Sequence, residues 1–568
     1  MRRILKEVKK DWKALLFVVV IALIAGKDLL QPGYFNMHDD LQMMRQFSLE
    51  ACFKDLQIPC RWTPYMGYGF GFPLFNYYPQ LPYLFGEVFR LIGFSFVDTI
   101  KATMLLSFVT SGLAMYVLAK EFWGKLGGIL SAAFYIWAPY HSVDVFVRGA
   151  MNEAWALVWF PIILWSGYKI ITKAQFRHIV VLSLAWFGLL NSHNLMALIF
   201  VPFFGAWALL WLVREKSWFT VPQLVISGIW ALGLSAFFTI PVTLEKNLVH
   251  VESMVVGYYE YIVHFTSINQ LLISRFWGYG PSTWLTDDKM SFQIGYLHWI
   301  LPLVLLAFAI YRFYKKRKID DVILATSFFV LAGWFAAFMT QSRSTPLWVR
   351  LDPLLRYVQF PWRFLALVIL AFSTSAGAVI VLIDRPGKRN ILKFFSVLIL
   401  VVGLYALNVG YFHPEKIGPL TDEEKFSGKA WDLQQTAGIY DYLPVGAKTA
   451  PKAPQKEVAE IVKGNASLSN EHQGTNWASF DATVMDEIAT IQINIFSFPN
   501  WQVYMDGKKV DTFIGDDEWG RMRLEVPSGE HKVTAKFKDT PIRKVANFIS
   551  LSSWMALLAV PFWRKMVS

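Results

Sequence analysis

Residues 364–383 read FLALVILAFSTSAGAVIVLI, twenty positions in a row without a charged side chain. A helix needs a run of about this length to cross the roughly 30 Å hydrocarbon core of a bilayer. Comparable runs recur along the chain, so the sequence predicts an α-helical polytopic membrane protein with about twelve transmembrane helices. The other expected spans are Ala14–Ala25, Ala102–Ala119, Leu126–Tyr140, Ala154–Ile171, Ile179–Leu190, Leu195–Val213, Val221–Val242, Gly295–Tyr311, Val322–Phe338, Ile391–Val409 and Val545–Trp563.

The overall composition agrees with this prediction. Hydrophobic residues make up 55% of the 568 positions and charged residues only 17%, whereas a soluble domain has about 25% charged residues. This balance excludes a disordered chain and argues against an ordinary soluble protein. The formal net charge of +12 would suggest nucleic acid as the partner of a soluble protein. In a membrane protein it is explained by Lys and Arg in cytoplasmic loops, so no nucleic-acid partner is expected.

The segment Phe75–Ser95 is apolar enough to suggest a further span. If it stays outside the membrane and the N-terminus is cytoplasmic, most loop Lys and Arg residues face the cytoplasm, as topology rules require. If it crossed, every later loop would flip and this bias would invert. We therefore expect a retained first helix, then one long outside loop over residues 31–98 that contains interfacial helices.

The composition changes near residue 411, where apolar runs shorten and Gly, Pro and charged residues increase. The sequence divides into a transmembrane domain (1–410), an extracytoplasmic β-sandwich-like domain (411–544) and a final helix with a cytoplasmic tail (545–568). Period-two alternation and turn residues indicate the strands of the middle domain. The expected strands are Ile488–Phe496, Trp501–Met505 and, after an Asp506–Gly507 turn, Lys509–Ile514, then Arg521–Val526 and His531–Phe537 on either side of Pro527–Gly529.

The two cysteines, Cys52 and Cys60, both fall in the expected outside loop. Outside compartments are oxidising, so these residues form either a disulfide or two unpaired thiols.

Polar residues that could carry chemistry gather in four outside loops. His38, Asp39 and Asp40 follow the first helix. Two adjacent carboxylates near a bilayer are costly unless they are solvated, paired or bound to a metal. One of them could be a general base for a hydroxyl group. Alternatively, the pair is a solvated turn or a cap for the helix that begins near Leu41.

Arginines on the outside form a second signal, because they run against the inside bias of basic residues. One loop holds four of them and another holds Arg148. Guanidinium groups bind phosphate oxygens in pairs, so phosphate recognition is one interpretation. Contact with anionic headgroups, or salt bridges to Asp352 and Glu153, is the other. The four arginines of the single loop are Arg343, Arg350, Arg356 and Arg363.

Histidines at 38, 141 and 193 could bind a metal together with Asp39, Asp40 or Asp144. The spacing matches no metal motif such as H-E-x-x-H, and hydrogen bonding near a helix end is the alternative role. The aromatic and glycine-rich run from Tyr65 to Tyr83 could line a lipid or sugar groove, or form an interfacial aromatic belt.

Several of these motifs together resemble the GT-C glycosyltransferases. The closer resemblance is to a group of prokaryotic membrane proteins whose label refers to 6-pyruvoyl-tetrahydropterin synthase, although no pterin chemistry is visible here. The C-terminal part resembles YfhO-like ectodomains. The motifs that carry the resemblance are the His-Asp pair, the string RWTPYMGYGFGFPLFNYYPQLPY at Arg61–Tyr83, APYH at Ala138–His141, RGA at Arg148–Ala150, SHN at Ser192–Asn194, QFPWRF at Gln359–Phe364, DYLP at Asp441–Pro444, PNWQVY at Pro499–Tyr504 and DGK at Asp506–Lys508.

The resemblance implies a membrane glycosyltransferase that uses a polyprenyl-phosphate-linked sugar donor at the extracytoplasmic face of the cell membrane. The acceptor would be a glycan, a lipid or a protein, and a divalent cation (Mg²⁺ or Mn²⁺) is a possible cofactor. Asp39 would be the catalytic base, with Asp40 as the near alternative. Residues expected to bind substrate or phosphate are His38, Arg61, Tyr65, His141, Asp144, Arg148, Glu153, His193, Arg356 and Arg363.

Two other classes of protein fit a chain of this kind. A lipid or sugar transporter would carry polar residues deep within its spans, whereas most of the expected spans here are uniformly apolar. A non-catalytic membrane scaffold would tolerate the loss of both Asp39 and Asp40.

Overall fold

The computed structural model describes residues 2–282, 288–382 and 389–567. Ile383, at the end of one expected span, and the loop residues Arg385 and Lys388 lie outside this description. The chain forms two compact units, which are considered separately. The first comprises residues 1–40, 92–231 and 255–419, and the second comprises residues 41–91, 232–254 and 420–568.

The first unit is almost entirely helical, as the apolar runs predict. Most of the expected spans fall on helices, but the helix that covers Leu126–Tyr140 ends at Ile136, and Val221–Val242 is divided into Val221–Leu234 and Ala236–Leu244. Phe96–Ile136 covers two of them and is interrupted at Gly124, whose positive φ of +71° breaks the helical path. The longer helices of this unit are Arg2–Ala25, Phe96–Ile136, Met151–Lys173, Phe176–Ser192, Asn194–Glu215, Val221–Leu234, Tyr296–Lys316, Asp321–Met339, Leu365–Ala376 and Arg389–Asn408.

Among the described residues, seven helices are long and apolar enough to cross a membrane, and eight if one bent pair counts as a span. The bent pair is Trp218–Leu234 with Ala236–Leu244, and Phe176–Ser192 is a shorter apolar helix. The protein is therefore a polytopic membrane protein. The number of its spans follows from where the helices begin and end, not from the apolar runs alone.

The helix Leu365–Ala376, here called the central helix, comes from the uncharged stretch and lies in the interior of the first unit. All twelve residues of the helix Leu365–Ala376 are buried, which is typical of a helix that is apolar on every side. Trp123 Nε1 and Ser131 Oγ both donate to the Thr374 carbonyl, at 2.8 and 3.1 Å. These bonds tie the long helix Phe96–Ile136 to the central helix.

The second unit contains a seven-stranded antiparallel sheet. The strand order is Ala459–Lys463, Trp477–Phe496, Arg521–Phe537, Trp501–Met505, Lys508–Val510, with Ala466–Gln473 paired to Trp477–Phe496 and Phe513–Ile514 paired to Arg521–Phe537. The Asp506–Gly507 turn is confirmed, because Met505 pairs with Lys508 across it. The sheet belongs to the β-rich C-terminal domain that the composition predicts.

The expectation of two strands around Pro527–Gly529 is wrong. Arg521–Phe537 is one continuous strand, and Ile488 pairs with Pro527 while Val484 pairs with Gly529. The partner strand has a β-bulge between these two pairs, and the bulge lets Pro527–Gly529 stay within the strand instead of forming a turn. Buried side chains of the two long strands form one hydrophobic core. This core includes residues on both sides of the bulge, from Phe480 to Ile495.

The Arg61–Tyr83 string contributes to this core. Trp62 is buried, and its ring lies 5.6 Å from those of Phe498 and Trp501 and 5.5 Å from that of Phe537. A side chain at Gly71 would come within 2.4 Å of the Trp62 ring, so glycine allows this close packing.

Arg61 anchors a buried polar network in the same unit. Its guanidinium donates to Asp539, Asn76, Asn547 and the carbonyl of Phe237, at 2.8 to 3.1 Å. Nearby, Glu245 Oε2 accepts from Arg543 and Asn76, at 2.8 and 3.1 Å. Burial lowers the pKa of Arg61 to about 10. Because its donors are engaged with protein groups, the geometry indicates a structural role for Arg61.

Residues 41–91 form short elements in the second unit. The helices are Gln42–Lys54, Leu74–Tyr77 and Leu81–Leu91, so Phe75–Ser95 contains no helix long enough to span. Cys52 and Cys60 are joined by a disulfide with a Cα–Cα distance of 5.6 Å, which decides between the two alternatives for these residues.

Glu87 on the helix Leu81–Leu91 predicts a pH-dependent stability. Burial raises the pKa of its carboxyl group to about 7, and Gln46 Nε2 donates to it at 2.5 Å. The folded state therefore holds a proton that the unfolded state releases above its ordinary pKa, so stability falls as pH rises towards 7 and beyond. We expect the melting temperature of the detergent-purified protein to fall between pH 5 and pH 8, and Glu87→Gln to flatten this fall.

The matched control is Asp98→Asn. Against the effect of burial, hydrogen bonds from Lys101 and Ser95 lower the pKa of Asp98. This group is therefore ionised across the whole range and has no histidine partner, so its removal leaves the slope unchanged. An unaltered slope in Glu87→Gln would show that another group is responsible.

Candidate functional site

The His38–Asp39 segment lies alongside the turn that contains Arg148. The short strand Tyr34–Phe35 pairs with Ile417–Gly418 and leads the chain into this position. The His38 and Asp39 amides then donate to the carbonyls of Val147 and Arg148, at 3.0 and 2.9 Å. These two backbone bonds fix the main chain of Asp39 against the Arg148 turn.

The Arg148 turn is built for close approach. A short helix at Pro139–Ser142 runs into a π-helical turn at Val143–Val147, a wide turn that is frequent at functional sites. Gly149 follows with a φ of +60°, and a Cβ atom there would lie 2.1 Å from Met37 Sδ. Glycine at 149 is therefore required for the first loop to pack against this turn.

Arg148 is the centre of a buried cluster of charges. Its guanidinium forms ion pairs with Asp144 and with Glu153, the latter at 2.8 Å, and lies 3.3 Å from the Tyr140 hydroxyl. Tyr140 in turn donates to Glu153 at 2.5 Å. The Arg148 guanidinium also stacks 4.4 Å from the centre of the Trp362 ring, so its position is fixed on all these sides.

Arg363 reaches the same carboxylate from another loop. Its Nε lies 3.4 Å from Glu153 Oε2, and Nη1 donates to the Val358 carbonyl and to Gln359 Oε1, at 2.8 and 3.0 Å. Gln359 has a φ of +63°, a strained conformation for a residue other than glycine that is frequent at functional sites. Arg363 thus makes a looser contact with Glu153 than Arg148 does.

Burial sets the protonation of this cluster. Burial and the neighbouring Glu153 carboxylate raise the pKa of Asp144 well above its ordinary value. Burial, followed by Asp144 and Glu153, also raises the pKa of Tyr140, so Tyr140 stays a hydrogen-bond donor. Arg148 opposes the rise in the pKa of Asp144, and the guanidinium groups of Arg148 and Arg363 face the carboxyl groups of Asp144 and Glu153.

His193 belongs to the same electrostatic environment. Burial, followed by the Arg363 charge, lowers the pKa of His193 to about 3, and Glu153 and Arg148 act on it as well. His38 is also nearby: desolvation and then the Arg148 charge lower its pKa. Backbone bonds join the first loop to the Arg148 turn, and the contact between Arg363 and Glu153 adds the QFPWRF loop. The charges of Arg363, Glu153 and Arg148 that act on His193 indicate that the SHN turn is near them.

The structure brings some of the sequence-predicted residues together and separates others. Those brought together are His38, Asp39, Asp144, Arg148, Glu153, His193 and Arg363. Asp40 is close to Tyr34, whose pKa is raised by burial and then by Asp40. His141 is buried, with Nδ1 3.2 Å from the Tyr135 carbonyl and its ring 4.3 Å from that of Phe108, which is a packing role.

The remaining predicted residues have other contacts. Arg356 is exposed and pairs with Asp352 through its Nε at 2.8 Å, one of the alternatives that the sequence left open. Arg61 and Tyr65 belong to the second unit, where Tyr65 packs against Phe47 and Trp431. Within the described contacts, Arg356 does not join the Arg148 cluster.

Sequence reasoning missed three residues of the site. Tyr140 and Trp362 lie within the APYH and QFPWRF motifs, whose predicted site residues are His141 and Arg363. Tyr279 presents its carbonyl 2.9 Å from His38 Nε2, and backbone carbonyls leave no sequence signal. A search for Tyr or Trp beside each charged motif residue would have found the first two.

The donor set for a metal was tested on side-chain geometry. In the described residues, no group of three or more His, Cys, Asp and Glu side chains is placed to hold an ion. The carboxylates of Asp144 and Glu153 face arginines instead, so the described side chains do not fit the expected Mg²⁺ or Mn²⁺.

Comparisons with known proteins give distant likenesses. No family model matches the chain. An uncharacterized protein of Lactococcus lactis subsp. cremoris (strain MG1363) is 23% identical over 245 residues, 41% of this chain and 39% of that protein.

Two solved structures are similar to this chain. One is the arabinofuranosyltransferase AftD from mycobacteria, with a TM-score of 0.42 and 14% identity over 72% of this chain and 28% of that one. The other is the oligosaccharyltransferase of Archaeoglobus fulgidus tethered to an acceptor peptide, with a TM-score of 0.40 and 12% identity over 79% of this chain and 60% of that one. The chain spans less than two thirds of the length of each of these proteins.

The Arg148 cluster yields a stability prediction. Arg148→Met leaves Asp144 and Glu153 buried without their closest cation, and breaking a buried ion pair costs about 3–5 kcal/mol. We expect a clear loss of folding stability in detergent, measured by chemical unfolding. Arg356→Met, which removes an exposed arginine from a pair of the same i,i+4 spacing, is the control and should change little. Equal stability of the two variants would contradict the expected contribution of the Arg148 ion pairs to the free energy of unfolding.

Proposed function

We propose that the protein is a membrane glycosyltransferase that moves a sugar from a polyprenyl-phosphate donor to an acceptor hydroxyl group, with Asp39 as the base. The observation that carries this proposal is the fixed position of Asp39, bonded through its amide to the Arg148 carbonyl at 2.9 Å. The half-buried Asp39 thereby lies against the turn that carries Arg148, whose partner Glu153 also contacts Arg363. A base and cations close together are what such a transfer needs. The motif resemblance to GT-C glycosyltransferases supports the same class.

The reaction balances with these residues alone. Asp39 takes the proton of the acceptor hydroxyl, whose oxygen forms a bond to C1 of the sugar. The bond between C1 and the phosphate oxygen breaks, and its electron pair leaves with the polyprenyl phosphate. A phosphate monoester has a second pKa near 6, so the leaving group needs charge stabilisation rather than protonation.

The two arginines take different roles in this proposal. Arg148 is held by Asp144, Glu153, Tyr140 and Trp362, and its carbonyl fixes Asp39, so it acts as a positioning residue. Arg363 has the longer contact to Glu153, 3.4 Å against 2.8 Å, and is the better placed of the two to bind a departing phosphate.

Asp39 is preferred over Asp40 because of their surroundings. Asp40 lies beside the Tyr34 hydroxyl group on the side of the paired strand Tyr34–Phe35. Asp39 is the residue whose backbone joins the Arg148 turn.

The proposed site faces the extracytoplasmic side. The disulfide between Cys52 and Cys60 belongs to the same first loop as Asp39, and such bonds persist in oxidising compartments. The cytoplasmic bias of Lys and Arg leads to the same orientation, with both termini in the cytoplasm.

The base assignment predicts a difference between two neighbouring carboxylates. We expect Asp39→Asn to lower sugar transfer by at least 10²-fold because no base remains, while Asp40→Asn keeps most of the activity. The measurement uses membranes given polyprenyl-phosphate hexoses and pentoses labelled in the sugar, and follows label entering endogenous acceptors.

The matched control is Asp98→Asn, a carboxylate that is 56% exposed and pairs with Lys101 on the same unit. Full activity of Asp39→Asn would refute the base assignment. Movement of labelled lipid across the membrane without transfer, in wild type and variants alike, would favour the transporter instead. If neither sugar transfer nor lipid movement is detected, the result would favour a non-catalytic membrane scaffold.

A further inference from the structure

His193 links two helices at the edge of the charged cluster. It follows the helix Phe176–Ser192 and precedes Asn194–Glu215, with extended backbone angles of φ −157° and ψ 100°. Its Nδ1 accepts the Met196 amide hydrogen at 3.3 Å. This bond makes the imidazole the N-terminal cap of the second helix, a position that side-chain oxygens of Ser, Thr, Asp or Asn usually take.

The capping bond fixes the tautomer of the ring. A neutral imidazole carries one hydrogen, on one of its two nitrogens. Because Nδ1 accepts a hydrogen bond from the backbone, the hydrogen resides on Nε2. No other side-chain hydrogen bond of His193 is present within the described residues, so the Nε2–H is a donor available for a ligand.

The surrounding charges keep this ring neutral. Burial lowers the pKa of His193 to about 3, with Arg363 and Arg148 lowering it further and Glu153 opposing them. Around neutral pH His193 neither gains nor loses a proton. It is therefore unsuited to general acid–base work and suited to donating one fixed hydrogen bond.

The charges of the cluster favour a neutral donor at this position. Arg148 pairs with two carboxylates and Arg363 shares Glu153 with it, so part of their positive charge is already neutralised. A neutral donor adds a hydrogen bond without a further cation that would need its own buried counter-ion.

We propose that His193 donates its Nε2 hydrogen to a phosphoryl oxygen of the leaving lipid phosphate, next to Arg363. This inference rests on the proposed function and deepens it by assigning a second ligand to the phosphate ester. As the bond from C1 breaks, negative charge moves onto the phosphate, and a fixed donor strengthens its interaction with that charge. Removing one such donor typically lowers kcat by about 10²–10³-fold.

Two substitutions separate the donor from the cap. His193→Asn places its Oδ1 where Nδ1 was, so it keeps the cap of the helix but has no donor at the Nε2 position. His193→Gln places an amide nitrogen near the Nε2 position and keeps a donor. We expect His193→Asn to lose about 10²–10³-fold in kcat with little change in KM and a normal melting temperature. We expect His193→Gln to stay within about tenfold of wild type.

The opposite order, with His193→Asn active and His193→Gln inactive, would show a purely structural cap and overturn the proposal. Equal losses in both variants would overturn it too. The shape of the kcat profile between pH 6 and pH 8 should be the same in wild type and His193→Gln. Loss of an inflection near pH 6.5 in His193→Gln would mean that the ring titrates, against the proposal.

A binding measurement keeps this inference distinct from the proposed function. Citronellyl phosphate is a short lipid phosphate monoester that mimics the leaving group, and its binding to the purified full-length protein is followed by thermal shift. We expect His193→Asn to weaken binding at least fivefold relative to wild type and His193→Gln to preserve it. If wild type transfers no sugar but this pattern holds, the transferase proposal fails and the phosphate donor stands. If transfer occurs and binding is the same in all three proteins, the donor assignment fails alone.

Discussion

The ion pair between Arg148 and Glu153 is the contact on which the candidate site depends. Glu153 lies in the first turn of the helix Met151–Lys173. It is contacted by Tyr140 and Arg148 from the preceding turn and by Arg363 from a loop about 200 residues later in sequence. A carboxylate and a guanidinium so deeply buried are tolerated only when each has such partners. The Arg148 carbonyl accepts the Asp39 amide hydrogen, so the ion pair that holds Arg148 also helps to hold Asp39.

Sequence periodicity and composition predicted the framework because both follow directly from burial. The uncharged stretch contains the central helix Leu365–Ala376, and the alternation in Ile488–Phe496 became part of a long strand. The limits of those elements were harder to predict, since they depend on partners. Pro527–Gly529 is a turn by local propensity, but a bulge in the facing strand keeps it within the sheet.

The candidate site was predicted in part, for a similar reason. Motifs identified Asp39, Arg148, Glu153, His193 and Arg363 because charged residues near apolar spans stand out. They could not show how far Arg148 is neutralised by Asp144 and Glu153, because that depends on distances between turns. Nor could they separate Arg61 from these arginines, although its four hydrogen bonds to the second unit's own groups give it a different role. An arginine's chemistry is set by its neighbours, and neighbours are a property of the fold.

The burial of Trp62 among Phe498, Trp501 and Phe537 also bears on biogenesis. The ribosome makes residue 62 long before residue 537, and at about 5–20 residues per second this interval lasts tens of seconds. During that time the nascent loop exposes a large indole that has no sheet to enter, while the disulfide between Cys52 and Cys60 needs only a nine-residue segment to close. The order of synthesis therefore makes the early loop dependent on a chaperone, or on the membrane surface, until the C-terminal strands arrive.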